Sequence, residues 1–88
     1  MSINMALINS QVRQLREQAS LLREVQASLL SYQCNLNSHW RGVEMVPTNQ
    51  ALENHMRRLE ALANDLESIS SDVRREAEAI RREEEEVI

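Results

Sequence analysis

The sequence predicts an all-α fold: an antiparallel two-helix hairpin that pairs into a four-helix bundle. Apolar residues recur every seven positions along two long runs, a pattern typical of helices that pack along a seam. Neither run contains an internal Gly or Pro, the residues that helix interiors tolerate least. The only Trp, Gly and Pro of the chain lie together in residues 37–47, between the two runs. This distribution predicts a turn there.

The first run predicts a helix over about residues 4–38. Two neighbouring columns of residues, each with a spacing of seven, mark its buried side. Asn4 suits the N-cap position, where its side chain can accept a backbone hydrogen bond, and Ser2 is the alternative. The leading column is Ile8, Leu15, Leu22, Leu29 and Leu36, and the flanking column is Val12, Ala19, Gln26, Gln33 and Trp40.

The second run predicts a helix over about residues 47–82. Pro47 suits its first turn, where the missing backbone N–H costs nothing. Beyond this helix, four consecutive Glu residues oppose the helix dipole and repel one another, so we expect residues 83–88 to form a frayed acidic tail. The leading column is Leu52, Leu59, Leu66, Val73, Ile80 and Val87, and the flanking column is Met56, Ala63, Ser70, Ala77 and Glu84.

The turn between the helices spans about residues 39–46, within a single domain that covers residues 1–88. Gly42 can adopt a positive φ and so let the chain leave the first helix without a Cβ clash. Trp40 continues the flanking column and can plug the end of the seam with a large apolar surface. On this interpretation the segment is a structural turn.

A connection this short makes the two helices antiparallel neighbours. Folding the chain about its turn sets Leu15 opposite Val73 and Ile8 opposite Ile80. Other registers differ by one heptad, but the length of the turn favours this one. On the surface, two spacings predict i,i+4 ion pairs within the second helix; these are Glu53–Arg57 and Glu78–Arg82.

More apolar residues are present than one helix–helix seam can cover. A fully buried Leu, Ile or Val contributes about 1.5–3 kcal/mol, so several left in water would weaken a domain of this size. An exposed patch of this kind usually marks a partner surface. The sequence therefore predicts a partner interface, which comprises Val25, Tyr32, Leu62, Ile69, Leu21 and Leu30.

The composition argues against several classes of function. The net charge of −4 does not suit a nucleic-acid-binding protein, which would show a basic stripe. No run of residues is long and apolar enough for stable membrane insertion. The N-terminus does not resemble a cleaved secretory signal.

No catalytic or metal site is predicted from the side chains that could form one. Cys34, the only Cys, excludes an intrachain disulfide. His39 and His55 lack the carboxylates that would complete a metal centre with Cys34. A single Gly cannot form a loop that cradles phosphate. We therefore expect no enzyme activity, no metal and no cofactor.

The midpoint segment Trp40-Arg41-Gly42, set between two long amphipathic helices in a short chain, resembles the WXG family of small type VII secretion proteins, the relatives of the early secreted antigenic target of mycobacteria. The resemblance covers essentially the whole chain. It implies a helical hairpin that forms a homodimer, or a heterodimer with a related hairpin, in a four-helix bundle. It also implies that Trp40 and Gly42 form a secretion motif.

The same resemblance implies a cytoplasmic protein that is then secreted by a pathway independent of a signal peptide. The chain would act as a substrate, or as a targeting partner for a larger secreted toxin, with a type VII secretion ATPase as a further partner. Family members often carry a C-terminal signal, an aromatic residue followed four positions later by an acid. This chain has no aromatic residue after Trp40, and its nearest equivalent is Ile80 with Glu84.

One alternative belongs to another class of protein. A structural coiled-coil module that dimerises within a cytoplasmic assembly would show the same heptad columns and the same additional apolar residues. It would not require Trp40 and Gly42 to coincide at the midpoint of the chain.

Overall fold

The computed structural model describes residues 2–86 and has two long α-helices, α1 (Met5–His39) and α2 (Met45–Glu86). Hydrogen bonds join α1 to α2 near the turn, and another joins the N-terminal segment to the end of α2, so the helices run antiparallel. The molecule is a rod with extents of 70 × 16 × 13 Å. The predicted all-α hairpin is confirmed.

The N-terminus of α1 is capped as the sequence predicts. Asn4 has an extended backbone, and its Oδ1 atom accepts a hydrogen bond from the backbone N–H of Leu7 at 3.1 Å. Its carbonyl oxygen also accepts the first helical hydrogen bond, from Ile8 at 3.1 Å. The cap therefore satisfies backbone N–H groups that would otherwise lack partners.

The helix-to-helix turn is shorter than predicted. Trp40 is the C-cap of α1, and its N–H donates to the carbonyl of Leu36 at 2.7 Å. α2 begins at Met45, whose N–H donates to the carbonyl of Gly42 at 3.2 Å. Pro47 therefore lies within the first turn of α2, where no helical partner for its nitrogen is needed.

At its other end, α2 continues through residues 83–86, which were predicted to fray. Two contacts hold this segment. The guanidinium of Arg81 bonds Glu78 at 2.8 Å and Glu85 at 3.0 Å. Glu84 accepts the backbone N–H of Ile3 at 3.0 Å. The remainder of the predicted tail, residues 87–88, lies outside the described residues.

The most buried positions are those of the flanking columns, not of the leading ones. Ala63 and Ser70 are fully buried, whereas the leucines of both leading columns are half-buried. Small side chains at the centre let the two helix backbones approach closely, and the leucines then close the seam from one side. The buried members of the flanking columns are Val12, Ala19, Gln33, Met56, Ala63, Ser70 and Ala77.

The register at the open end of the hairpin agrees with the prediction. Leu15 and Val73 line one groove between the helices, and Ile8 and Ile80 line the next. Of the predicted i,i+4 ion pairs, neither is present among residues 2–86. Within α2, Arg57 instead donates to Asn54 at 2.6 Å. The partner of Glu78 is Arg81, three residues later, rather than Arg82.

Candidate functional site

The tip of the hairpin presents apolar side chains to solvent. Trp40 is 60% exposed and Val43 is 84% exposed, with Val46 also exposed. The prediction that Trp40 plugs the seam is therefore wrong. Because α2 begins two residues earlier than expected, the buried side chain of Met45 fills that end of the interface instead. Trp40 is left free to contact another molecule.

Gly42 has a backbone conformation that other residues rarely adopt. Its φ is +128°, the one positive φ in residues 2–86. A Cβ atom at this position would also lie 3.1 Å from Oε2 of Glu44. The predicted role of Gly42 in the turn is therefore confirmed, and the turn geometry fixes how Trp40 is presented at the tip.

One broad side of the rod, which we call the charged face, is marked by a contact between the helices. Nε of Arg23 on α1 donates to Glu67 on α2 at 3.1 Å, and its Nη2 atom donates to Asn64 at 2.8 Å. Residues seven positions apart lie on the same side of a helix, so the columns that contain Arg23 and Glu67 mark this side of the rod. The charged face comprises Asn9, Arg16, Arg23 and Leu30 of α1 and Glu53, Glu60, Glu67, Arg74 and Arg81 of α2. Arg13 adjoins it in a groove shared with Asn9 and Arg16.

The Arg23–Glu67 contact also shifts the titration of both groups. The hydrogen bond from Arg23 lowers the pKa of the Glu67 carboxyl, and the positive charges of Arg23 and Arg16 lower it further. The same hydrogen bond raises the pKa of Arg23. This pair is not among the predicted ion pairs, although columns of charge at a spacing of seven indicate it.

The opposite side of the rod, which we call the apolar face, carries most of the predicted partner interface. Five of the six residues of the predicted interface lie about 140–200° around the helix axis from the columns of the charged face. They adjoin the half-buried leucines of the leading columns, so the apolar surface is continuous across both helices. The apolar face comprises the exposed residues Leu21, Val25, Tyr32, Leu62 and Ile69.

Leu30, the sixth residue of the predicted interface, lies elsewhere. It follows Arg23 by seven positions and is therefore on the charged face. Its exposure of 53% matches the 49% of Leu62 on the other side. The sequence prediction placed Leu30 and Leu62 in one interface because each lies beside an apolar column. The contact between Arg23 and Glu67 shows that they occupy opposite sides of the rod.

The two residues of the predicted C-terminal signal lie against the N-terminal segment. Ile80 lines a groove with Ile3 and Ile8, and it remains 43% exposed. Glu84 accepts the hydrogen bond from the Ile3 backbone. The structure thus brings Ile80 and Glu84 to the open end of the hairpin, far from Trp40 at the tip.

The remaining reactive side chains form no cluster. Cys34 is exposed as a free thiol. His39 contacts Ser38 at 3.0 Å and the carbonyl of Asn35 at 2.9 Å, both within the last turn of α1. In the part of the chain that the structure describes, no three His, Cys, Asp or Glu side chains are grouped to hold a metal ion. Neither helix there is long and apolar enough to cross a membrane.

A polar cluster inside the interface was also missed from the sequence. Gln33 Nε2 donates to Asn49 Oδ1 at 3.2 Å, and Asn37 and Asn49 exchange two further hydrogen bonds. Gln33 belongs to a flanking column, but its contact with Asn49 and that of Asn37 with Asn49 join residues 16 and 12 positions apart in the chain. No local pattern identifies them.

Comparison of the chain with protein-family models, with curated proteins and with solved structures finds no match.

Proposed function

We propose that this protein is a non-enzymatic type VII secretion protein, exported as a substrate or as the targeting partner of a larger effector or toxin. The observation that carries the proposal is the exposed Trp40 two residues before Gly42, at the tip of a hairpin of two long helices. A helix-ending turn needs the glycine but has no use for an exposed indole. Exposed aromatic side chains on loops are characteristic of recognition.

The apolar face supports the pairing that this function requires. Leu62 and Ile69 on α2, with Val25 and Tyr32 on α1, form an exposed apolar surface across the middle of the rod. A second hairpin packed on this surface would complete a four-helix bundle. The partner is a second copy of the chain or a related helical hairpin.

The path of export follows from the same proposal. The chain is cytoplasmic before export and leaves by a pathway that does not use a cleaved signal peptide. A type VII secretion ATPase recognises the exported pair, with Trp40 at the tip as one contact. The second contact is the open end of the hairpin, where Ile80 and Glu84 lie beside the N-terminal segment.

A second candidate is a structural dimerisation module of a cytoplasmic assembly. The apolar face favours it as much as it favours the secretion protein, because both require a helical partner. The two candidates differ in what they require of Trp40. A dimerisation module needs only the faces of the rod, whereas a secretion protein also needs the tip.

Export from the native host distinguishes the two candidates. Trp40→Leu and Trp40→Ala should fold and pair normally, because the side chain is exposed, yet should be lost from the culture medium and accumulate in cells. Val43→Ala is the matched control, since Val43 is a more exposed apolar residue of the same turn. Wild-type export of both Trp40 variants would refute the secretion signal and leave the dimerisation module.

Pairing through the apolar face is tested by light scattering in about 0.5 M salt, where exposed charges are screened. Leu62→Glu should shift the wild-type mass towards that of a monomer. Leu30→Glu should not, because this equally exposed leucine lies on the charged face. A well-folded wild-type monomer at micromolar concentration would refute homodimerisation, and a poorly folded one would indicate an obligate partner.

A further inference from the structure

The charged face changes sign along its length. On α2, the residues at a spacing of seven are acidic near the turn and basic towards the end of the helix; in order they are Glu53, Glu60, Glu67, Arg74 and Arg81. On α1, Arg16 adds to the basic half. The Arg23–Glu67 pair lies between the two halves.

In the basic half, three guanidinium groups share one groove between the helices. Arg13 and Arg16 reach it from α1, and Arg74 reaches it from α2. All three side chains are exposed, and none forms an ion pair with another of residues 2–86. Three like charges gathered across two helices leave a site that favours an anionic group.

In the acidic half, Glu53 and Glu60 line a groove with Gln26, Met56 and Arg57. Neither carboxylate forms an ion pair within the described part of the chain. The guanidinium of Arg57 donates to Asn54 and forms no ion pair with either carboxylate, so the acidic groove has a net charge of −1. The charged face thus carries net positive charge in one groove and net negative charge in the other.

The two grooves lie at similar distances from the Arg23–Glu67 pair, on opposite sides of it. Arg16 and Arg74 are each seven residues from that pair, about 10 Å towards the open end of the hairpin, and Arg13 is about 15 Å away. Glu60 and Glu53 are about 10 and 20 Å from it towards the turn. A two-fold axis near the pair therefore brings each basic groove opposite an acidic one.

We infer that a second copy of this chain docks on the charged face in an antiparallel arrangement, with Arg13, Arg16 and Arg74 of each copy against Glu53 and Glu60 of the other. The contact is isologous, so the complementary charges meet twice in each pair of chains. It is separate from the apolar face and does not depend on the proposed secretion function. A chain that pairs through both faces builds assemblies larger than a dimer.

The experiment measures the mass of the full chain by sedimentation velocity at low and high salt. The Debye length falls from about 20 Å near 20 mM salt to about 4 Å near 500 mM, so charge-driven association is lost at high salt. The weight-average mass of the wild-type protein should be at least about twofold greater at low salt. Pairing through the apolar face does not have this salt dependence, which separates the two contacts. An equal mass at both salt concentrations would overturn the inference.

Charge-reversal variants identify the surface. Arg13→Glu/Arg16→Glu should abolish the increase in mass at low salt, and so should Glu53→Arg/Glu60→Arg. Arg41→Glu/Arg58→Glu is the matched control for the arginine pair, because it makes the same change in net charge away from the charged face. It should keep the increase. If the control loses association equally, net charge rather than docking is responsible and the inference is wrong.

Mixing the two charge-reversed variants is the decisive measurement. The charged face is largely acidic in Arg13→Glu/Arg16→Glu and largely basic in Glu53→Arg/Glu60→Arg. An equimolar mixture should therefore recover the increase in mass at low salt that neither variant shows alone. Circular dichroism checks that each variant is folded. If the mixture stays dissociated while both are folded, the grooves do not contact each other across two chains. The arginine cluster would then be a site for a small anion, and the inference would fail.

Discussion

Asn37 and Asn49 exchange a reciprocal pair of side-chain hydrogen bonds across the interface, at 2.9 and 3.0 Å, beside the turn. Asn49 Oδ1 also accepts from the buried amide of Gln33. This cluster satisfies its members in one alignment of the helices, whereas the aliphatic columns would tolerate a shift by one heptad. We infer that it selects the register of the hairpin, as a buried polar residue does in a coiled coil.

Asn49→Ala should destabilise the protein by about 1–3 kcal/mol, because it removes the acceptor of the Gln33 amide and both cross-helix hydrogen bonds of Asn37 in a part-buried site. Urea unfolding measures the free energy, at one protein concentration so that the proposed pairing would contribute equally to every variant. Gln50→Ala is the control at the adjacent exposed position. A loss at Asn49 no larger than the loss at Gln50 would show that the cluster contributes nothing.

Close approach of the helices depends on small side chains at the centre of the seam. Ala63 is fully buried there, so Ala63→Leu should force the helices apart and cost about 1–3 kcal/mol. Ala61→Leu makes the same change at an exposed position of α2 and should alter stability by less than about 0.5 kcal/mol. Thermal unfolding compares the two. Equal stability of the two variants would contradict close packing at Ala63.

The sequence predicted the helices well because the signals for them are local. A spacing of seven extends over each run, Asn4 caps α1, and Gly42 and Pro47 mark the turn. It predicted the order of burial poorly, because burial is a property of the helix pair. Ala63 and Leu59 both lie in apolar columns, and only the distance between the helices decides which of them is fully covered.

The tip and the two faces show the same limit. Trp40 fits the flanking column of α1, but α1 ends one residue before it and Met45 takes the buried place. Leu30 and Leu62 have similar sequence environments and lie on opposite faces. Each outcome depends on where the second helix begins and how it is rotated, which no pattern within a single helix specifies.

Acidification should remove the contribution of the Arg23–Glu67 pair. The pKa of Glu67 is lower in the folded protein, chiefly through the hydrogen bond from Arg23, so the folded state binds this proton less readily than the unfolded chain. The stabilisation is therefore present at neutral pH and is lost as the pH falls through the lowered folded-state pKa. Wild type should melt above Glu67→Gln at pH 7, and the difference should shrink as the pH is lowered from 7 to 3.

The control makes the Glu67→Gln substitution in a protein that already lacks Arg23. In an Arg23→Gln background, the proteins with and without Glu67→Gln should melt at the same temperature as each other, both at pH 7 and at pH 3. A difference that persists in this background would assign the pH dependence to other charges near Glu67, among which Arg16 also lowers its pKa.

The contrast between Trp40 and Met45 decides whether the tip serves the fold or recognition. Met45→Ala should destabilise the protein by about 2 kcal/mol or more, because it empties a buried position at the end of the seam. Trp40→Ala should change the free energy of unfolding by less than about 0.5 kcal/mol, because its side chain is exposed. Chemical denaturation of both variants measures this. If Trp40→Ala proves as damaging as Met45→Ala, Trp40 supports the fold, and loss of export in that variant would no longer indicate a recognition signal.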